Sequence, residues 1–217
     1  LTAAALTTTG AHAHAPRAGS NGDSSADPAH ARTKPGGLCV TNAGDGTVSF
    51  IRPDGTTGAA VTVGKNPSEA AIAPAGTPNA GTAYVPNYDG GTMSVIRPDG
   101  TTGATVTVGK NPFGVAIAPA GTPHAGTVYV TNVGDGTMSV IRPDGHRGAT
   151  LTVGENPSAA GIATADTTNA GTVSVSHRFD GQMSVTHPTD SRGDQITVCL
   201  GPSGGAISTA GAQHPRN

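Results

Sequence analysis

The string YVTNVGDGTMSVIRPDG, Tyr129 to Gly145, returns along the chain at a fixed interval of 45 residues. CVTNAGDGTVSFIRPDG begins at Cys39, YVPNYDGGTMSVIRPDG at Tyr84, and a weaker copy, SVSHRFDGQMSVTHPTD, at Ser174. This period restricts the fold more than any other property of the sequence. Each copy is one supersecondary unit too small to bury its own apolar surface, so the copies must stack on one another.

Alternation and turn residues define the unit. Between Asn111 and Gly154 lie GVAIAP (Gly114–Pro119), TVYVTN (Thr127–Asn132), TMSVI (Thr137–Ile141) and ATLTV (Ala149–Val153). The last three alternate as strands do, with Met138 and Val140 on one side and Thr137 and Ser139 on the other. GDGT reads as a hairpin turn, because glycine tolerates positive φ. RPDG places Pro at the second and Gly at the fourth position of a type I turn. No stretch carries apolar residues at helical spacing over three turns, which predicts essentially no α-helix.

Four strands per repeat predict an all-β fold, a β-propeller of four-stranded blades built from four 45-residue repeats. Stacking sheets about an axis buries both faces of each and leaves only short edges. The small-residue runs EAAIA (Glu69–Ala73), GVAIA (Gly114–Ala118), AAGIA (Ala159–Ala163) and GGAIS (Gly204–Ser208) belong nearest the axis, where volume is scarce. With the innermost strand called A, the chain reads B-C-D, then three A-B-C-D blades, then a final A. Pairing of Gly204–Ser208 with Leu38–Asn42 is expected to close a four-bladed ring. An open half-ring, an eight-bladed ring of two chains and a piece of a longer propeller are also compatible with this order.

The flanks read differently. Residues 1–15 resemble the end of a signal peptide, with an A-x-A site favouring cleavage after Ala13, so the protein is expected to be secreted or held in the cell envelope. Residues 16–37 form a polar linker, 38–211 the propeller and 212–217 a tail. His12, His14 and His30 lie where nothing fixes a metal geometry. No apolar run of about 18 residues predicts a transmembrane helix. A net charge of -2 gives no general attraction to nucleic acid or anionic membranes. Cys39 and Cys199 make no disulfide framework, although both fall in the repeats that closure would bring together. Either two free thiols or one bridge fits.

YVTN at Tyr129–Asn132, followed by GTMSVI and VGENP, resembles the YVTN β-propeller repeat family of bacterial and archaeal surface-layer and secreted proteins. The resemblance covers roughly Gly36 to Gly211 and recurs in register, so it implies the propeller fold. Function is implied only loosely. Relatives include lactonase-like enzymes, amine dehydrogenase subunits, DNA-binding periplasmic propellers and surface proteins. The fourth repeat departs from the pattern, with Ser174 and His177 for Tyr and Asn, and Cys199-Leu200-Gly201-Pro202 where GKNP or GENP stands elsewhere. AGTPNAG and AGTPHAG are longer A-to-B links than the family's short turn, and the WD dipeptide is absent.

Propeller ligands bind over the central channel, on the face carrying the D-to-A and B-to-C loops. That face offers Lys65, Asn66, Lys110, Asn111, Glu155 and Asn156 as candidate ligand-binding residues. Asp45, Asp89, Asp135 and Asp180 lie in the hairpins. Asn and Asp at such places also serve simply to hold turns. Each Asp is alone in its loop, whereas Ca²⁺ takes roughly six to eight oxygens. Glutamate occurs only at Glu69 and Glu155, too few for a lactonase metal cage. His177, Asp180 and His187 make a weak hydrolytic set, and no nucleophile elbow or phosphate loop is present. Arg52, Arg97 and Arg142 form a basic ring on the opposite face without interleaved aromatics.

The sequence therefore predicts a secreted or cell-envelope, non-catalytic binding or structural interaction module. It is expected to be no enzyme and to need no cofactor or metal. Its partner would be a protein or envelope ligand, not nucleic acid, and it would be a monomer or homodimer. The alternatives are a lactonase-like or lyase-like enzyme using the loop face, and a nucleic-acid-binding propeller.

Overall fold

The computed structural model describes residues 38–52, 54–178, 182–186 and 194–197. They form fifteen strands in four antiparallel sheets, with no helix among them. The first sheet has three strands, β1 (Leu38–Asn42), β2 (Thr47–Ile51) and β3 (Val61–Thr62). The second has β4 (Ala71–Ile72), β5 (Ala83–Asn87), β6 (Thr92–Ile96) and β7 (Thr102–Thr107). The third has β8 (Pro112–Ile117), β9 (Val128–Asn132), β10 (Thr137–Ile141) and β11 (Arg147–Thr152). The fourth has β12 (Pro157–Ile162), β13 (Val173–His177), β14 (Gln182–Thr186) and β15 (Asp194–Thr197). In the last three sheets the strands lie side by side in chain order.

The order B-C-D followed by complete A-B-C-D sheets is the one read from the repeats. Strand ends differ. β8 starts at Pro112, two residues before the expected Gly114, because a register shift between Pro112 and Val115 lets Pro112 pair with Asn132. The rim strand β11 starts at Arg147, since a bulge between Ser139 and Ile141 brings Arg147 opposite Ile141. The flanking segments 1–37 and 198–217, with the closing strand Gly204–Ser208 and Cys199, lie outside the described residues. No helix of the described residues is long and apolar enough to cross a membrane.

The turn chemistry follows the sequence. Gly136 sits at φ 63°, and a Cβ there would meet the Gly154 carbonyl at 2.9 Å, so both the hairpin and the neighbouring crossover need glycine. In each RPDG turn the glycine N–H returns to the arginine carbonyl, at 2.9, 2.8 and 2.9 Å for Gly55, Gly100 and Gly145. Asp54 and Asp99 accept the Thr56 and Thr101 hydroxyls and the N–H of the same residues, and Asp144 accepts the His146 N–H, which holds all three carboxyls below the usual aspartate range. Arg52 and Arg97 bond within the same turns, to Thr56 Oγ1 and to the Thr102 carbonyl. Two members of the basic ring are thus turn charges bonded within their own loops.

Alternation sends the two faces of each sheet to different neighbours. Val48 and Phe50 of β2 meet Ala83, Val85 and Ile96 of the second sheet. Tyr84 and Met93, from that sheet's other face, meet Val128, Val130 and Ile141 of the third. Tyr129, Met138 and Leu151 in turn meet Val173 and Val175 of the fourth. Each fully buried Val, Ile, Leu or Met contributes about 1.5–3 kcal/mol, so stability resides between the sheets. Cys39 is unpaired at the first of these interfaces, and burial pushes its thiol up to about 12.

A buried polar side chain ties down each of the three described crossovers, an amide at two of them. Asn87 Oδ1 accepts the Gly64 N–H at 2.9 Å, while its Nδ2 donates to Thr92 Oγ1 and Ser94 Oγ, both at 3.0 Å. Asn132 repeats this with Gly109, Thr137 and Ser139. In the fourth sheet His177 stands in the same place, fully buried, with Nδ1 2.9 Å from the Glu155 carbonyl and Nε2 2.8 Å from Ser184 Oγ.

The two core tyrosines have unequal surroundings. Tyr84 OH accepts Asn79 Nδ2 at 2.7 Å, and the same amide donates to the Gly126 carbonyl at 2.9 Å. One repeat later His124 occupies the place of Asn79, and the Tyr129 hydroxyl is buried without a partner. Tyr84→Phe should therefore cost about 1 kcal/mol, whereas Tyr129→Phe should be neutral or stabilising. Urea denaturation of the two variants checks this, and equal losses would refute it.

Candidate functional site

Near-identical repeats supply their own reference, because residues that break the repeat mark where one blade differs from the next. The residue opening the B-to-C loop is Ala43, Tyr88, Val133 and Arg178 in successive repeats. The inner strand enters with Ser68, Phe113 and Ser158, followed by Glu69, Gly114 and Ala159. Four departures, Glu69, Tyr88, Phe113 and Arg178, fall on the loop face or at the adjoining end of the inner strands.

Glu69 lies two residues past the first D-to-A turn. Its Oε2 accepts the Val115 N–H of the next sheet's inner strand at 3.0 Å. Within that strand Gly114 N–H goes to Thr131 Oγ1 and Ala118 N–H to the Thr127 carbonyl, both towards β9. Strand alternation places the Val115 N–H on the opposite edge, where β4, β8 and β12 converge. The carboxyl therefore sits at the inner rim of the loop face. Burial raises its pKa above the ordinary glutamate value, and the single bond from Val115 only partly opposes this.

Beside it, Ser68 Oγ lies 2.9 Å from the Phe113 carbonyl and joins Glu69's strand to Phe113. The Phe113 ring meets Tyr88 edge-on, with centroids 6.4 Å apart and planes at 83°. The Arg178 guanidinium carbon lies 5.6 Å from the Phe113 centroid. Three blades thus contribute Tyr88, Phe113 and Arg178 to one cluster. Tyr88 and Phe113 are half-buried and Arg178 is exposed.

The residues singled out from the sequence lie on this face in a different role. Asn66, Asn111 and Asn156 take φ of 51°, 50° and 50°, the left-handed conformation that Asn tolerates best among non-glycine residues. Their carbonyls accept the N–H of Tyr88, Val133 and Arg178 at 2.9, 3.1 and 2.9 Å. They therefore position the loop residues that carry the cluster. The Lys65, Lys110 and Glu155 side chains are exposed. The Lys110 N–H binds Asp135 Oδ2 at 2.7 Å, so that aspartate braces a neighbouring turn. Lys65 and Asn66 line an open hollow of about 630 Å³ with Asp45 and Asp89. Among the described residues no hydrogen bond or ion pair joins one Lys/Glu–Asn pair to another.

His177 is buried in the crossover and closed to substrate, while Asp180 and His187 lie outside the described residues. Among the described residues no three His, Cys, Asp or Glu side chains are placed to hold a metal ion. A lactonase-type metal cage therefore does not fit the described residues, and no chemistry is derived through one.

No family model matches the sequence, and none of the curated proteins compared with it does. Solved structures share its fold. The chain is similar to hydrazine synthase of Kuenenia stuttgartiensis, with TM-score 0.64, 18% identity, and 79% of this chain and 47% of that one covered. It is similar to a catalytically inactive variant of virginiamycin B lyase from Staphylococcus aureus with quinupristin, with TM-score 0.60, 14% identity, and 76% and 52% covered. A putative 6-phosphogluconolactonase from Bacteroides uniformis gives TM-score 0.58, 16% identity, and 76% and 52% covered.

These likenesses define the class: the chain has a β-propeller fold. It spans about half the length of the solved structures it matches. The expectation of a non-catalytic binding or structural module is corrected by the same finding. Solved propellers of this fold carry the names of a synthase, a lyase and a putative 6-phosphogluconolactonase, so the fold is no mark of a non-catalytic module.

Proposed function

We propose that this chain is a YVTN-type propeller enzyme of lyase-like chemistry, with Glu69 as its proton-transfer group. The supporting observation is the Glu69 carboxyl at the inner rim of the loop face, one oxygen held by the Val115 N–H and the pKa raised by burial. A carboxyl of raised pKa is suited to general acid–base work closer to neutrality. Oε2 is fixed, which leaves Oε1 to exchange the proton. In an elimination, Oε1 takes a proton from the carbon beside a substrate carbonyl. The C–H electron pair becomes the second bond of C=C, the C–O bond breaks with its pair on the departing oxygen, and the proton stays on Oε1.

Glu69→Gln keeps an oxygen that can accept from Val115 and removes the titratable proton. With quinupristin, the compound held by the inactive lyase variant of this fold, as the trial substrate and the new C=C absorbance as readout, turnover is expected to fall about 10²–10⁴-fold. Unchanged turnover in the variant would overturn the assignment, as would no reaction of the parent with quinupristin. The folded state binds the Glu69 proton more tightly than the unfolded chain does. Its stabilising effect is therefore present below the unfolded glutamate pKa and is lost as pH rises through the raised folded value. Glu69→Gln should accordingly gain thermal stability relative to the parent at pH 7 compared with pH 4. A difference independent of pH would contradict the burial effect.

A further inference from the structure

The cluster beside Glu69 has no structural duty that the other repeats lack. Position 88 is filled by Ala43 and Val133 elsewhere, and position 113 by Ser68 and Ser158, within the same sheet architecture. Aromatic residues make up only 3% of the chain, and two half-buried rings meet here on the loop face. Arg178 is anchored by its backbone to the Asn156 carbonyl and stacks its guanidinium over Phe113. Among the described residues no acceptor pairs with that guanidinium, so its N–H fork is available to a ligand. A guanidinium held against a ring keeps its charge and its planar donors while losing conformational freedom.

We propose that Tyr88, Phe113 and Arg178 form a binding platform for an aryl carboxylate, the carboxylate on the Arg178 fork and the ring against Phe113 and Tyr88. A planar carboxylate matches the planar fork of one guanidinium, while the exposed Asp89, Asp135 and Glu155 on the same side are balanced by Lys65, Lys110 and Arg178, so the face carries no excess of positive charge that would call for a dianion. The proposal deepens the lyase reading and rests on it for treating the ligand as a substrate. Binding itself needs only the platform.

The test uses benzoate as the probe, with acetate, benzyl alcohol and cyclohexanecarboxylate as controls, by isothermal titration calorimetry on the full chain. Tyr88 fluorescence supplies a second readout, since the chain has no Trp and both Tyr84 and Tyr129 are buried. Benzoate is expected to bind about tenfold or more tighter than each control. Tyr88→Val, Phe113→Ser and Arg178→Val each install a residue found at the same place in another repeat, so the fold should be kept. Each is expected to weaken benzoate at least several-fold, Arg178→Val most. Equal affinity for acetate, or affinity unchanged by Phe113→Ser and Tyr88→Val, would overturn the platform. Benzoate binding with Glu69-independent turnover would sink the lyase reading alone. Glu69-dependent turnover without benzoate binding would sink the platform alone.

Discussion

Asn132→Ala should destabilise the protein by about 3 kcal/mol, a large loss for removing one polar group. The amide is fully buried and makes three hydrogen bonds, from Gly109 N–H to Oδ1 and from Nδ2 to Thr137 Oγ1 and Ser139 Oγ, each at 3.0 Å. Alanine leaves the crossover N–H, the half-buried Thr137 hydroxyl and the buried Ser139 hydroxyl without that partner, and at Ser139 water does not readily replace it. Asn42 supplies the internal control. It holds Thr47 and Ser49 in the same way but is only half-buried and braces no crossover among the described residues. Asn42→Ala should cost about 1 kcal/mol. Chemical denaturation of both variants checks the ranking. Equal losses would show that the bond to the crossover contributes nothing.

Gly114→Val should cost about 2–3 kcal/mol through overpacking. A Cβ at Gly114 would run into the Ser158 carbonyl oxygen, and would lie 3.0 Å from Thr131 Oγ1 and 3.2 Å from Ala159 Cα. Two of these three neighbours are backbone atoms of β12, so no flexible side chain can turn aside. Glycine here sets how closely the inner strands of the third and fourth sheets approach. Gly44→Ala is the control, because a Cβ there meets nothing within 4 Å. It should change the melting temperature little. If Gly114→Val melts with the parent, the inner strands are not in close contact.

Much of the architecture was legible from the repeat. The sheet order, the strand Leu38–Asn42, the GDGT hairpins and the RPDG turns all follow from local alternation and from glycine and proline placement. Strand ends were less legible. The shift that pairs Pro112 with Asn132 depends on the partner strand. The loop-face Asn residues were expected to hold turns or bind a ligand. They do hold turns, and their carbonyls also anchor Tyr88 and Arg178, a contact between loops some twenty residues apart in sequence. Glu69 drew notice only for the scarcity of glutamate, and Tyr88 and Phe113 drew none as a pair. Comparison of one repeat with the next contains the signal that finds them: Glu69 against Gly114 and Ala159, Phe113 against Ser68 and Ser158.

By itself the sequence determined the repeating unit, its strands and turns, and the need for sheets to stack. Those properties are set by neighbours a few residues apart and by the apolar surface each unit cannot bury alone. Only the tertiary structure decided that a carboxyl from one sheet caps an N–H of the next, and that an arginine, a phenylalanine and a tyrosine from three blades meet. The physical reason is that stacking brings together residues separated by one or two whole repeats, and no local pattern encodes which side chains then meet at the loop face.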